Sequence, residues 1–547
     1  MASPTLPQLT LHLAPRFDST GAATGLAVCL EIAGVDVAEG ARLLGSNTLS
    51  VRVRDDRGTV DFIAANGVDS PVRRVSRATQ GRVVLEIDVQ IRPDAAIVEN
   101  GAELRLDQGG IIGSGQGFLP QLALPSGPYQ IAVKWDLSNA PAGTKAACTI
   151  GDGPEPPPIA GSFDKLVDAV YAVGPLHHFP EDVSATTTST DNNTLEGVCR
   201  AYWLGSLPAN LAAVKDFNYK MFPALKNFFQ DDEGSYRLFL RKVPNGFNGL
   251  TLGRSGLVDY DDHTPSDPDW DLVRLLNHHM VRSWVQLDLE EDGSENDWFS
   301  IGLSELYSIY FPFRFKQRTP DYFRYTLNGF LTGYFTNPLI GSPLAEVANM
   351  VEAGDPHAPF VLPMRACMYM MRMDVYMRRA SKEQGAGVAR PIDEIVRDIA
   401  ARRRRGETVR TQDWLAHVGR WLGTDAAAAQ FKEFVDGEIM RLADMERVFD
   451  GLYPTLSERL DFGFVQKRDG NGNTVLRVTP GSRAAGAGLQ NGDIVTNFVR
   501  PRRAVTNGES KQSITVERNG ARVEIVYWPR SETKVEAWVS RKKDEAS

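Results

Sequence analysis

Cysteine is scarce in this chain, with four residues in 547 (Cys29, Cys148, Cys199 and Cys367) and no CxxC pair. This excludes a disulfide-dense secreted scaffold and a cysteine-held zinc ribbon, and it points to a reducing, cytoplasmic compartment. Long apolar runs are missing as well. No stretch reaches the ~18 consecutive apolar residues that a membrane helix needs, so no membrane partner is expected. There is no excess of positive charge either: Lys and Arg number 60 against 69 Asp and Glu, a formal net charge of -9. Nucleic acid and anionic membrane surfaces both reward a basic face, so neither is an expected partner. The run Arg402 to Arg405 follows the helical spacing Ile392, Ile395, Val396, Ile399 and reads as a solvated helix end favoured by the macrodipole. The opening segment MASPTLPQLTLHLAPRF has no charged region leading into an apolar core, so no secretory signal is expected.

What is present is a globular composition, 42% hydrophobic and 24% charged, in a chain too long for one core. Residues 1–157 alternate apolar and polar positions, as in Leu9 to Leu13, Leu49 to Val53 and Val83 to Val89, which predicts an antiparallel β domain. The proline-rich stretch Gly151 to Pro158 reads as a linker. From Phe163 the period turns helical, over about 163–173, 269–288, 297–310, 364–383, 391–405 and 411–422, predicting a mainly helical domain over 158–452. Strand patterns return over 453–540. The fold class expected is therefore α+β and multidomain.

Two resemblances give these domains meaning. The segment Phe462-Gly463-Phe464, the run Pro480 to Leu489 and the turn Gly492-Asp493-Ile494 resemble, in order, the carboxylate-binding loop, helix segment and turn of a PDZ domain. Such a groove adds an extended chain as a strand and catches its terminal carboxylate on backbone N–H groups, so a C-terminal peptide partner is implied. The succession of β domain, helical domain and PDZ, with Met364 to Arg379, Pro391 to Ile399 and Thr411 to Trp414 matching helices in order, resembles the PDZ-containing glycyl aminopeptidases among the thermolysin-like zinc peptidases.

The resemblance implies a zinc motif, His-Glu-x-x-His-x-Trp, and the matching window is His278-His-Met-Val-Arg-Ser-Trp284. His278 keeps the first ligand position, while His279 replaces the catalytic Glu and Arg282 the second histidine. The third ligand, a Glu, falls on Ile301, with Gly302 kept and Glu305 one turn further on. A catalytic zinc needs about three protein ligands, and a guanidinium places a fixed positive charge where the ion would sit. No metal and no cofactor are expected. The peptide-gripping segment also departs from the family's and reads Asn248 to Leu252.

The expected activity is therefore metal-independent: a repurposed peptidase scaffold acting on a small molecule by acid-base or binding-driven catalysis, such as a cyclisation, isomerisation or addition. In this reading His279 titrates near neutral pH as general acid or base, His278 assists, Arg282 holds an anionic substrate group and Glu305 partners Arg282. Trp284, Tyr307, Trp298, Leu252 and Arg254 are the expected substrate-binding residues, and Phe462, Gly463 and Phe464 the PDZ groove. Alternatively, His278, His279 and Arg282 form a satisfied structural network in a dead cleft. Alternatives are an inactive pseudopeptidase that binds peptides or protein C-termini, and a residual metallo-aminopeptidase drawing on His278, His279 or His263 with Glu305. The cluster Asp259 to His263, with Asp267 and Asp269, is read as an acidic loop with Asp269 capping a helix rather than as a Ca²⁺ or Mg²⁺ site. The glycine-rich stretches 109–117 and 249–256 lack Gly-Lys-Ser/Thr and are read as turns. The run Met364 to Met377 is read as core.

Overall fold

The structure is a computed structural model that describes residues 6–44, 50–64, 72–89, 91, 101–125, 127–181, 199–232, 234–244, 248–440, 451–468, 474–499 and 501–541. They form two compact units, one from residues 1–219 and 234–266, the other from 220–233 and 267–547.

The first unit is built on strands. Alternation in Gln8–Phe17 buries Leu9, Leu11 and Leu13 completely, and this strand pairs antiparallel with Ala23–Ala33 and parallel with Tyr129–Trp135 inside a seven-stranded sheet. The predicted strands Ser50–Asp55 and Val83–Val89 lie in the same sheet; Leu49 lies outside the described residues. The glycine-rich stretch 109–117 is a turn, the buried strand Gly110–Ser114 and a short 3-10 turn.

Strands also continue well past Phe163, where helix was expected. The predicted helix over 163–173 is only Asp164–Val167, followed by the strand Val170–Gly174, which pairs with Gly110–Ser114. A further mixed sheet holds Cys199–Leu204, Tyr236–Lys242 and Ser255–Tyr260 as parallel neighbours. Its members Tyr236–Lys242 and Ser255–Tyr260 are buried on both faces. A strand covered on both sides loses its alternation, so its apolar run carries no period that separates it from a buried helix.

The second unit carries the predicted helices Val361–Glu383, Pro391–Arg404 and Thr411–Leu422, close to their expected limits. The helix expected over 269–288 stops at Arg282, and its N-cap is Pro268 without a side-chain bond, so Asp269 sits in the first turn and does not cap. The residues beyond Arg282 are committed elsewhere. The Trp284 indole donates to Asp231 at 2.7 Å and stacks on Phe229, while Asp288 takes the Val409 amide and an Arg403 guanidinium N–H.

Helix Asp297–Arg314 is buried nearly all round, as a central helix must be. Gly302 explains part of this: a Cβ there would meet the Ala366 backbone at 2.9 Å, so only glycine lets Val361–Glu383 approach so closely. Pro320–Thr336 is an additional helix, started by Thr319, whose hydroxyl accepts the Tyr322 amide, and by Pro320 in the first turn.

Strands return at the C-terminus as expected. Phe464–Arg468 is the edge of a five-stranded antiparallel sheet, and Leu452–Leu460 pairs with Arg530–Ser540 in a separate ladder. That ladder is fastened to helix Pro320–Thr336 by reciprocal bonds between Asn328 and Ser540 of 3.0 and 2.7 Å.

Candidate functional site

Helix Asp269–Arg282 places Arg274 and His278 one turn apart on one face, and helix Asp297–Arg314 sets Glu305 against them. Arg274 Nη1 donates to Glu305 Oε2 at 3.0 Å. From the far end of the sequence, Arg502 Nη2 donates to Glu305 Oε1 at 2.7 Å. His278 Nδ1 lies 3.4 Å from Oε1 without making a hydrogen bond. One buried carboxylate therefore holds two guanidiniums and faces an imidazole.

The electrostatics follow from this crowding. Burial opposes ionisation of Glu305, but Arg502, Arg274 and His278 outweigh it and hold the carboxyl well below its usual range. Burial pushes His278 down to about 3 against the pull of Glu305, with Arg502 and Arg282 adding to the push. His279, packed edge-on against His278 with ring centroids 5.1 Å apart, is held well below 6.5 by burial and then by His278. Both imidazoles are neutral near pH 7. The expectation that His279 titrates near neutrality is thus corrected: burial, the neighbouring His278 and Arg282 all penalise its charged form, and Glu305 offsets them only in part.

Other expected partnerships change too. Arg282 reaches Asp297 at 2.8 Å, not Glu305, because the helix projects it about two turns beyond Arg274 toward the start of the neighbouring helix. Three of the expected substrate-binding aromatics are core. Trp284 is stacked on Phe229, the Tyr307 hydroxyl donates to buried Asp393 at 3.0 Å, and Trp298 sits among Tyr369, Trp414, Phe431 and Phe434. Leu252 and Arg254 belong to the first unit, where Leu252 is buried in an apolar cluster and the Arg254 carbonyl accepts the Arg237 amide.

The acidic loop carries turn and ion-pair bonds: Asp259 is bound by Arg241 at 2.7 and 3.0 Å, and Asp261 accepts the His263 amide. Among the described residues no group of three or more His, Cys, Asp and Glu could hold a metal ion. The position beside His278 fits zinc poorly for a reason of its own, since the neighbouring carboxylate already carries Arg274 and Arg502.

Beside this cluster a cavity of about 600 Å³ opens, walled by Asp271, Arg274, Glu305, Phe330, Arg502 and Arg530 among others. Arg274 and Arg502 were not among the expected site residues. Arg274 was within reach of the helical spacing, four positions before His278. Arg502 lies 197 residues from Glu305, and no local pattern announces it.

The expected PDZ groove is also committed. The Phe462 amide donates to His357 Nε2 at 3.1 Å, the Gly463 amide to Asp461 at 2.8 Å, and the Gln466 amide to the Gly354 carbonyl at 2.9 Å. Asp355 fixes the His357 ring through Nδ1 at 2.8 Å, and Asn337 binds the His357 carbonyl. Gly354 has φ +79°, and a Cβ there would overlap the Gln466 carbonyl oxygen, so glycine is required at this approach. Phe464 packs inward on Phe498.

No sequence family matches the chain, and no curated relative does. Solved structures do. An aminopeptidase N family protein from Idiomarina loihiensis aligns with TM-score 0.67 at 14% identity, over 98% of this chain and 99% of that one. An M1 zinc metallopeptidase from Deinococcus radiodurans aligns with TM-score 0.50 at 15% identity, over 80% and 95%. Leukotriene A4 hydrolase from Saccharomyces cerevisiae aligns with TM-score 0.50 at 11% identity, over 79% of this chain and 67% of that one. The chain thus has an aminopeptidase-like, thermolysin-type fold, with N-terminal β sheets and a central helical region. No helix among the described residues is long and apolar enough to cross a membrane.

Proposed function

We propose that this protein is a metal-independent member of the aminopeptidase-like fold, repurposed to act on a small molecule in the cavity beside Glu305. One observation carries the reading: the carboxylate nearest the retained zinc-ligand position, His278, is bound to two guanidiniums. A divalent cation there would face Arg274 and Arg502 at close range, four positive charges in all, with only Glu305 and, acting on Arg502, Asp271 to offset them.

The geometry also selects among ways of acting. Neutral, buried His278 and His279 are weak bases near pH 7, and Glu305 is held ionised, so proton transfer through them is disfavoured. Fixed guanidiniums in a recessed cavity suit binding-driven catalysis, in which positive charge meets an enolate, phenolate or alkoxide as it forms. Addition of a nucleophile to a carbonyl or conjugated carbonyl, and cyclisation by the same step within one molecule, generate such an anion directly. That this fold also occurs in a protein named leukotriene A4 hydrolase supports a substrate outside the peptides. The four cysteines are free thiols, which supports a reducing, cytoplasmic setting. The C-terminal module, read as PDZ-like, acts in this proposal as an internal brace that delivers Arg502 rather than as a receptor for chain termini.

The test is metal content and peptidase activity together. Protein purified without chelator should carry well under one zinc per chain, gain none on titration with Zn²⁺ at micromolar levels, and leave aminoacyl p-nitroanilides uncleaved. Stoichiometric zinc with aminopeptidase activity that a chelator abolishes would overturn the proposal.

A further inference from the structure

Arg502 reaches Glu305 from Pro501–Thr506, a helix of only six residues. A helix so short has little internal hydrogen bonding to hold its direction, and its last carbonyls find no partner among its own amides. Its surroundings therefore decide where it points. The last carbonyls are met one by one: the Thr506 hydroxyl donates to that of Arg502 at 3.1 Å, the Asn507 amide to that of Arg503 at 2.9 Å, and the Arg530 guanidinium to that of Ala504 at 2.6 Å.

Thr506 and Asn507 belong to the helix or follow it directly, so they move with it. Arg530 does not. It opens strand Arg530–Ser540, stands opposite Leu460 in the ladder, and its Nη2 also lies 3.5 Å from the Asn507 carbonyl. It is 1% exposed and forms no ion pair among the described residues. Burial lowers its pKa to about 10, with Glu458 the opposing influence. A buried cation without a paired counter-charge is costly, and the carbonyls at the end of the helix are what its donors satisfy.

The same helix also rests on Pro320–Thr336. Val505 is fully buried, and a Cβ at Gly333 would stand 3.2 Å from its Cγ1; one turn earlier, a Cβ at Gly329 would stand 3.3 Å from the Thr506 carbonyl oxygen. Two glycines one turn apart thus let the short helix lie close against the long one. Apolar contact is non-directional, so it sets the distance of the short helix better than its rotation. A hydrogen bond is directional, and the one from Arg530 can set the rotation.

We infer that Arg530 is a positioning residue for the site: it holds helix Pro501–Thr506 by its last carbonyls in the orientation from which Arg502 reaches Glu305. It acts through Arg502, whose bond to Glu305 it maintains without sharing in it. This rests on the reading that the cavity beside Glu305 is the working site, and it names the residue that sets one of the two guanidiniums there. Without Arg530, Glu305 keeps Arg274 alone.

A triple-mutant cycle in urea unfolding of the full chain tests it. With Arg530 in place, Arg502→Met and Glu305→Gln, alone and combined, should reveal a coupling of about 10-fold in the unfolding equilibrium constant of the second unit. In the Arg530→Met background the same variants should show a coupling of no more than about 2-fold, because Arg502 is no longer held on Glu305. A residue that merely stabilised the module would lower stability in every background and leave the coupling as it was, and that result would overturn the inference. If Arg530→Met does not fold, Arg530→Gln, which keeps one shorter, uncharged donor, is read by the same cycle. Its coupling should fall to about 3-fold, and an unchanged value would again overturn the inference. Zinc content and peptidase activity are read on the unaltered protein. Zinc there, with the coupling lost in Arg530→Met, would refute the proposed function and leave the role of Arg530 standing; a zinc-free protein with the coupling unchanged would refute that role alone.

Discussion

Two arginine–carboxylate pairs join the same two helices, and they differ in everything except distance. Arg274 and Glu305 meet at 3.0 Å with side chains 14% and 5% exposed, while Arg282 and Asp297 meet at 2.8 Å with side chains 27% and 47% exposed. The first pair is desolvated and tied to Arg502 and His278. The second is wet and bound by a single hydrogen bond between the partners. Separation alone therefore says little about what an ion pair does. Water and the number of partners decide whether it organises a site or decorates a surface.

The sharpest way to break this comparison is Glu305→Ala, which strands two guanidiniums around a buried gap. It should destabilise the second unit by about 3–5 kcal/mol in urea unfolding; a loss as small as that of the outer pair would erase the distinction. Arg502→Met removes one of two donors and leaves Arg274 in place. A loss of about 2 kcal/mol is expected, with faster amide exchange over 501–541 than over Asp269–Arg282.

Acid sharpens the contrast through His278. Its folded pKa of about 3 lies below the ordinary 6.5, so the unfolded chain binds the extra proton between those values. This contribution to stability is complete above pH 6.5 and is lost as the pH falls toward 3, by about 2 kcal/mol at pH 5. Glu305, also lowered, acts with the same sign at lower pH. His278→Asn should flatten thermal stability between pH 6.5 and 5, and an unchanged slope would mean that the imidazole takes up its proton at the same pH in the folded and unfolded chain. At the outer pair, Asp297→Ala should cost about 0.2–1 kcal/mol, vanishing in high salt, by the same urea measurement.

The helices around the site were legible because their apolar residues recur at helical spacing, and the sheet of Gln8–Phe17 because its residues alternate. Helix Pro320–Thr336 went unread although Thr319-Pro320 is a start signal followed by Tyr322, Thr326, Leu327, Phe330 and Tyr334 on the buried side. Strands Tyr236–Lys242 and Ser255–Tyr260 were illegible for a physical reason, since burial on both faces removes the period. At the site, His278 and Glu305 could be found from a motif frame. Their true partners could not: the frame is anchored on Trp284 and draws attention to Arg282, whereas the cluster gathers a turn or two earlier and is completed by Arg502 across 197 residues.

The bond from Gln466 to Gly354 reaches beyond the site. Phe464–Arg468 is an edge strand, the kind of border to which a foreign chain can add, and at Gln466 the protein's own Gly354 carbonyl already takes the amide there. An incoming peptide would meet an exchange rather than an empty berth. Its rival is tethered, with an effective concentration on the order of millimolar, and never diffuses away. Whatever approaches this border must outcompete a neighbour that is always home.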